Sequence, residues 1–508
     1  MADTKKMNVL FVLSDQHQAA CTGYEGHPQA LTPNMDRLAA EGTRFTRAYT
    51  QNPICTPSRV SILSGQYCHN HGYYGLSGPT PLALPDFFSH FQQHGYRTAG
   101  IGKMHLPNDP TTWAEDGMTL FADCYFKPSG VEDGDSPYFE HLKKHGLEDK
   151  EDSIGLPEFP GRQQHEGRPS NLPYEHSVEG WCVKRAIEFI DAGGDQPFCM
   201  EVSLPRPHQC YTPDKMFWDM YDDDLDLPPT IYNDASHRPP HFRRMVENYR
   251  KNEGLLDPKG FEHVSRRVWR AYLACITQVD YALGQLMDHL EARGLAENTI
   301  VIYGSDHGAY STTHGVPEKA PGICSEAVCR VPYVWHVPGH TNAGHVSDAF
   351  VENIDLAPTI CNLCGLPPMT SVDGKNISDL LAGGDTPVRD MAVTEHPWSK
   401  AIRWNKWRFV HYQFAMFDGE DVSKPYHLDA DPDDTHNQYH DPAHQAIVHE
   451  ARRRLVEWLI DTTRIATMLP ARKSEAHRGQ YYDTAGDGKE ANTAGPSQRA
   501  RDGHRNYL

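Results

Sequence analysis

The sequence predicts an α/β fold: a large, mainly parallel or mixed sheet sandwiched by helices, followed by a smaller C-terminal α+β subdomain. Three observations predict it. The first three-quarters of the chain alternates short apolar runs with amphipathic stretches of helical spacing, the pattern of strands joined by crossover helices. A length of 508 residues is more than one small domain needs and enough for a large core plus a second unit. From about Val388 the pattern shifts to the alternation of antiparallel strands, as expected where one sheet face meets a core and the other meets water.

The elements follow in order. Asn8-Val-Leu-Phe-Val-Leu reads as a buried strand, and Thr32-Pro-Asn-Met-Asp-Arg-Leu opens a helix with Pro33 in its first turn. Cys55-Thr56-Pro57-Ser58-Arg59 opens another helix, with Thr56 placed to cap it and Gly65 placed to end it. Tyr96-Arg-Thr-Ala-Gly-Ile-Gly, Phe198-Cys-Met-Glu-Val-Ser-Leu and Thr299-Ile-Val-Ile-Tyr-Gly read as further strands. Val268 to Leu295 is a long helix, with Ala271, Ile276, Leu283, Leu286 and Leu290 at three-and-four spacing. Pro110 to Ser170, rich in Gly, Pro, Asp and Glu, is a long insertion of the kind that shapes pockets. Ala401 to Tyr412 alternates as antiparallel strands, and Gln445 to Ile465 is an amphipathic helix. The boundaries expected are therefore 1–385 for the large α/β domain, 386–470 for the α+β subdomain and 471–508 for a polar tail. That tail has the composition of a disordered segment, or of one that packs on the body or on a second copy in a homo-oligomer.

Hydrophobic residues make up 38% of the chain and charged residues 23%, with a formal charge of −20. Such an acidic balance argues against nucleic acid or an anionic membrane as partner, since both need basic patches. It also requires that any anionic substrate be held by a local cluster of cations. The start, Met-Ala-Asp-Thr-Lys-Lys-Met, leads directly into a strand with no secretory pattern, and no apolar run is long enough to span a bilayer. The twelve cysteines are scattered, as in a reduced cytoplasmic protein. Cys361 and Cys364 have redox-motif spacing but read as two helical core cysteines.

The chemistry gathers at strand ends. Asp15 and Gln16 follow the first strand, Lys103-Met-His105 another, Pro205-Arg-Pro-His208 a third, and Ser305-Asp306-His307-Gly308 a fourth. Ligands bind at the carboxyl edge of an open α/β sheet, and four strands aim carboxylates, histidines and a lysine at that edge. One histidine after a strand is functional in about one case in five; four such strands together are hard to read as coincidence. Asp15, Gln16, Asp306 and His307 make a divalent-metal shell. Its oxygens suit Ca²⁺ or Mg²⁺ and its imidazole suits Mn²⁺, Zn²⁺ or Fe²⁺. A competing reading makes Asp306 the cap of a helix starting at Gly308. Cys55 lies at the positive end of its helix, where anions are stabilised; this marks a reactive cysteine or, more plainly, a buried cysteine before an ordinary helix. Cys68-His69-Asn70-His71-Gly72-Tyr73-Tyr74 suits a pocket wall or a hydrogen-bonded turn equally, and His314, Glu395-His396 and Arg403 are weaker pocket candidates.

Cys55-Thr-Pro-Ser-Arg59 resembles the signature of the formylglycine-dependent sulfatases, a family with the alkaline-phosphatase-like fold. Its surroundings resemble the family's blocks in order: Asn8 to Asp15, Thr32 to Ala39, Gly42 to Tyr49, Ser61 to Gly65, Gly95 to Lys103, Thr299 to Gly308, Arg330-Val-Pro, Ile354-Asp-Leu-Ala-Pro-Thr, and Tyr426 to Asn437. The resemblance implies that Cys55 is oxidised to formylglycine by a formylglycine-generating enzyme and hydrated to a gem-diol. Asp15, Gln16, Asp306 and His307 would hold a divalent metal with it, calcium first, with manganese and magnesium as alternatives. Arg59 would steady the diol, Lys103 and Lys319 contact sulfate oxygens, His105 assist regeneration of the aldehyde, and His208 protonate the leaving alcohol. The substrate implied is a small sulfate ester, such as a sulfated mono- or oligosaccharide. Many members have Asp where this chain has Gln16; choline sulfatases and phosphonate monoester hydrolases resemble it there, which keeps a phosphonate monoester or phosphodiester hydrolase as the alternative. An inactive anion-binding relative would have lost Cys55, Arg59 or a ligand, and all are present.

Overall fold

The first strand, β1 (Asn8–Asp15), sets the layering. Its side chains alternate between two apolar layers: Val9, Phe11 and Leu13 face one, and Leu10 and Val12 face the other. A strand buried on both sides is the signature of a sheet covered by helices on each face. The computed structural model describes residues 6–76, 84–107, 120–123, 136–150, 167–232, 238–252, 258–316, 319 and 323–464. Most of the insertion expected at 110–170, and the tail expected at 471–508, lie outside them.

Among the described residues seven more strands join β1: β2 (Thr43–Tyr49), β3 (Arg97–Gly102), β4 (Leu120–Asp123), β5 (Phe198–Pro207), β6 (Thr299–Ser305), β7 (Tyr333–His336) and β8 (His345–Glu352). Their order is β4-β3-β5-β1-β6-β7-β2-β8. The run from β4 to β6 is parallel; β7 is antiparallel to both its neighbours, and β2 pairs parallel with β8. The sheet is thus mixed, as expected. One layer carries the helices Cys55–Ser64, Phe87–Gln93 and Leu356–Leu363. The other carries Pro33–Glu41, Pro137–His145, Val178–Asp191 and the second half of Pro258–Ala292.

Two local expectations need correction, and one competing reading falls away. The long helix runs Pro258–Ala292, starting well before Val268, because Pro258 suits a first turn and Phe261 and Val264 continue the apolar stripe. It stops before Leu295 because Gly294 turns left-handed at φ 65°. The helix at Cys55 begins at Cys55 itself, with extended Ile54 before it and Gly65 ending it at φ 69°. Thr56 therefore sits inside the first turn and caps nothing; its buried hydroxyl has no hydrogen-bond partner among the described residues. No helix starts at Gly308, so Asp306 is not a helix cap.

A second, antiparallel sheet follows, β9 (Met391–His396), β10 (Ser399–Trp404), β11 (Trp407–Tyr412) and β12 (Lys424–His427), in the order β12-β11-β10-β9. The helix Gln445–Thr462 covers it through Val448, Ala451, Leu455 and Trp458, packed among Val393, Ile402, Trp404 and Phe409. Strand β9 is tied to the segment just before Cys55: Thr394 Oγ1 donates to Thr50 O at 2.6 Å, and Glu395 N to Gln51 O at 2.7 Å. The described residues between Lys6 and Thr463 pack as one unit. Among the described residues no helix is long and apolar enough to cross a membrane. Cys361 ends the buried stripe of its helix, and it and Cys364 carry free thiols.

Gly102, the last residue of β3, has φ 101°, and a Cβ there would lie 2.0 Å from Ser203 O. Only a bare α-carbon lets β3 approach β5 this closely beside Lys103. Gly102→Ala combines a strained φ with a backbone clash, and should lower stability by about 2–4 kcal/mol. Chemical denaturation read by tryptophan fluorescence measures it; an unchanged midpoint would show that the strands separate without cost.

Candidate active site

Register builds the site. Gly102, Ser203, Leu13 and Gly304 form one row across β3, β5, β1 and β6. The residues just past that row are Lys103, Asp15 with Gln16, and Asp306 with His307. Beyond Ser14 the pairing of β1 with β5 becomes irregular, and β5 continues to Pro207, delivering His208. The helix Cys55–Ser64 points its first residue at the same edge, so Cys55 has the orphan N–H groups of a helix start around it.

Cys55 is buried. Its Sγ lies 3.2 Å from His307 Nε2, 3.4 Å from Lys319 Nζ and 3.6 Å from Asp15 Oδ1. His105 and His208 also interact with the thiol. Burial alone would push this thiol up, but Lys319, Lys103 and His307, with the bond from His105, hold it well below its ordinary value.

Arg59, one turn on, joins the parts. Its Nε donates to Asp306 Oδ2 at 3.0 Å and one terminal nitrogen to Asp15 Oδ2 at 3.1 Å. The other terminal nitrogen donates to Ser203 Oγ at 2.6 Å and to Lys103 O. Lys103 Nζ is 2.6 Å from Asp15 Oδ2. The Oδ2 atoms of both carboxylates are thereby committed to cations, and the Oδ1 atoms turn toward Cys55 and His307. Burial raises Asp15 and so does the neighbouring thiolate, yet Lys103, His208 and Arg59 prevail and hold it well below the carboxylate range. Asp306 goes the other way, raised by burial and by Asp15. Two buried carboxylates at one point resist carrying charge together without a further cation.

The donor set fits such a cation. Asp15, Cys55, Asp306 and His307 each present one ligand atom, all buried and within 4.8 Å of one another. His307 Nδ1 donates to Gly308 O at 2.8 Å, which fixes the tautomer and frees Nε2 as a ligand. Gln16 Oε1 accepts from Lys319 Nζ at 3.0 Å, and Gln16 Nε2 donates to Gln209 Oε1 at 3.1 Å, so the amide oxygen is the end that faces the site. Gln16 holds φ 68° because Tyr272 Oη receives Gln18 N at 2.8 Å and donates to Gln16 O at 2.9 Å. Asp306 Oδ1 also accepts from Gln16 N and His307 N, at 3.0 and 2.8 Å.

The ten residues expected from the strand ends, the helix at Cys55 and the family resemblance are thus brought together: Asp15, Gln16, Cys55, Arg59, Lys103, His105, His208, Asp306, His307 and Lys319. The weaker candidates are engaged elsewhere. His71 bonds Ser61 at 2.9 Å, and His69 pairs with Glu395 at 2.9 Å and meets Trp458 edge-on. Glu395 also takes Lys400 and Tyr74, so this group ties the second sheet to the short helix Cys68–His71 and the turn after it. His314 bonds Arg238 at 2.9 Å, and Arg403 bonds the carbonyls of its own hairpin. Sequence reasoning missed Ser203, Gln209 and Tyr272. Gln209 adjoins His208 and was within reach; Ser203 and Tyr272 act only through register and a distant helix.

A family model for the sulfatases matches residues 7–366, and one described as the C-terminal part of N-sulphoglucosamine sulphohydrolase matches 322–461. An arylsulfatase of Clostridium perfringens is 27% identical over 476 residues, covering 89% of this chain and 94% of the relative. An N-acetylglucosamine-6-O-sulfatase of Bacteroides thetaiotaomicron is 26% identical over 507 residues, covering 86% and 83%. The crystal structure of a phosphonate monoester hydrolase of Agrobacterium radiobacter superposes with a TM-score of 0.73 at 21% identity, covering 90% of this chain and 96% of that one.

Proposed function

The chain belongs to the sulfatase family, and on that premise we propose that this sulfuric ester hydrolase cleaves a small sulfate monoester, a sulfated mono- or oligosaccharide first, at Cys55 converted to formylglycine beside a divalent ion. The observation that carries the proposal is the setting of Cys55: the first residue of a buried helix, with His307, Lys319 and Asp15 all within 3.6 Å of its sulfur.

Asp15, Gln16, Asp306 and His307 would hold the ion, with calcium favoured by three oxygen donors. Together with the hydrated aldehyde it would supply an acidified hydroxyl as nucleophile near neutral pH. The chain's own groups do the rest. Lys103 and Lys319, with the helix N-terminus, balance charge on the sulfate oxygens. Arg59 keeps both aspartates oriented. His105 lies against residue 55, where it can accept the proton released as the aldehyde is restored. His208 Nδ1 is tied to Gln209 O at 2.5 Å, so its Nε2 is the nitrogen that delivers a proton to the departing alcohol.

His208 carries a testable consequence. Burial, then Lys103 and Lys319, push it down to about 4 in the free site. A sulfate anion bound against the two lysines offsets them and raises the imidazolium pKa. A general acid is lost as pH rises through its pKa, so the alkaline limb should lie at higher pH in kcat than in kcat/KM. His208→Gln should lower kcat about 10²–10⁴-fold, with the smaller loss on esters of acidic phenols, whose leaving groups need no proton. Equal losses on aryl and alkyl sulfates would remove His208 from this role.

Gln16 favours a second reading. It leaves two carboxylates facing Arg59, Lys103 and Lys319, and a phosphonate monoester carries the same single charge as a sulfate monoester. Parallel turnover of an aryl sulfate, an aryl phosphonate and a panel of sulfated sugars separates the two, with enzyme produced alongside a formylglycine-generating enzyme. Sulfate release that requires Cys55 establishes the first reading, and preference for the phosphonate establishes the second. No turnover with formylglycine present at position 55 overturns both.

A further inference from the structure

Away from Cys55, three imidazoles meet near the surface. His141 and His145 are four residues apart in the helix Pro137–His145 and so share one face. His176 ends the short turn Tyr174–His176. Ring centroids are 4.4 Å apart for His141 and His145, 5.2 Å for His141 and His176, and 4.7 Å for His145 and His176. His145 Nδ1 donates to His141 O at 2.8 Å, which leaves its Nε2 as the free lone pair. His141 Nε2 and His176 Nδ1 face each other at 3.0 Å. One nitrogen from each ring lies within 4.8 Å of the others.

The rings stand on anchored backbone. Tyr138 Oη donates to His176 O at 3.0 Å and its ring lies nearly parallel to that of His141. Ser177, next in the chain, caps the helix Val178–Asp191 by accepting from Gly180 N. Neutral imidazoles so placed satisfy one another with a single hydrogen bond, and protonated ones repel. A shared cation uses all three lone pairs at once.

We propose that His141, His145 and His176 form a zinc-class metal site separate from the catalytic centre. Three imidazoles suit Zn²⁺, Ni²⁺ or Cu²⁺, whereas Ca²⁺ and Mg²⁺ require oxygen ligands. Tetrahedral Zn–N bonds of about 2.0–2.1 Å place ligand nitrogens about 3.3 Å apart, so His141 and His176 need only a small outward shift. The fourth position is left to water. The site would clip the helix Pro137–His145 to the start of Val178–Asp191, which packs on β3 and β5, the strands that carry Lys103 and His208.

The test titrates the full chain with ZnCl₂ in excess Ca²⁺, by calorimetry. The native protein should bind one Zn²⁺ more than His145→Gln or His141→Gln, with affinity for that equivalent reduced at least 100-fold in each variant. His90→Gln should keep it, since among the described residues His90 and His94 pair at 4.6 Å without a third ring. On the native protein, zinc should protect His141, His145 and His176 together from diethyl pyrocarbonate, read by mass spectrometry; this needs no variant to fold. The same stoichiometry in His145→Gln, an equal loss in His90→Gln, or no joint protection overturns the proposal.

Discussion

Cys55→Ala should reduce turnover of every sulfate ester by about 10⁴–10⁶-fold, the range seen when a covalent nucleophile is removed. Alanine keeps the helix start, the arginine clamp and both lysines, so binding should survive while chemistry is lost. The expected pattern is a fall in kcat with KM little changed, and near-native thermal unfolding. The residue occupies little volume, and its loss removes a thiol flanked by Lys319, Lys103 and His307. Mass spectrometry of the native peptide containing residue 55 provides the companion measurement. Activity should scale with the fraction carrying the aldehyde, so protein made without the oxidising enzyme should fold normally and turn over little. Substantial activity in Cys55→Ala would show that the nucleophile lies elsewhere, and would leave the family assignment intact.

Arg59→Met should have the largest effect on stability, about 3–5 kcal/mol. Arg59 is 3% exposed and pairs with Asp15 and Asp306, which are both fully buried. Removing it takes a cation from both carboxylates at once, leaving Lys103 and His208 beside Asp15 and His307 beside Asp306. The sign of the pH dependence follows. Asp15 is held below its ordinary value of 3.8, so its contribution to stability is present above that value and lost as pH falls through the depressed one. In Arg59→Met that advantage shrinks, and the deficit against the native protein should be greatest at neutral pH. It should narrow below about pH 4, as the carboxylates protonate. A divalent cation should restore part of the loss by supplying the missing positive charge. Urea unfolding at pH 7 and in acid, with and without Ca²⁺, measures all three. Arg59→Lys should rescue little, because one ammonium cannot span Asp15, Asp306 and Ser203 at once.

Much of this was legible in the chain. Strand periodicity located β1, β3, β5 and β6, and polar residues after each apolar run marked the ends that meet around Cys55. Asp15, Lys103, His208 and Asp306 could be named because a parallel sheet sends successive carboxyl ends to one edge, so local position already implies convergence. Helix starts were less legible. Thr56 looked like a cap, but Ile54 enters extended and places Cys55 itself in the first turn. The competing reading of Asp306 as a cap fails as well, since its Oδ1 accepts from the amides of Gln16 and His307.

The sequence by itself determined the class of fold, the edge where the site lies and the residue types gathered there, because these depend on periodicity and on neighbours along the chain. Only the tertiary structure decided the rest. The row of Gly102, Ser203, Leu13 and Gly304 brings Lys103, Asp15 and Asp306 level. Tyr272, from a helix more than two hundred and fifty residues away in sequence, holds Gln16 in its left-handed turn. Strand β9 grips Thr50 and Gln51 and so aims the helix that begins at Cys55. Each of these rests on hydrogen bonds between segments distant in sequence, and no local pattern records which partner a buried donor will find once the layers close.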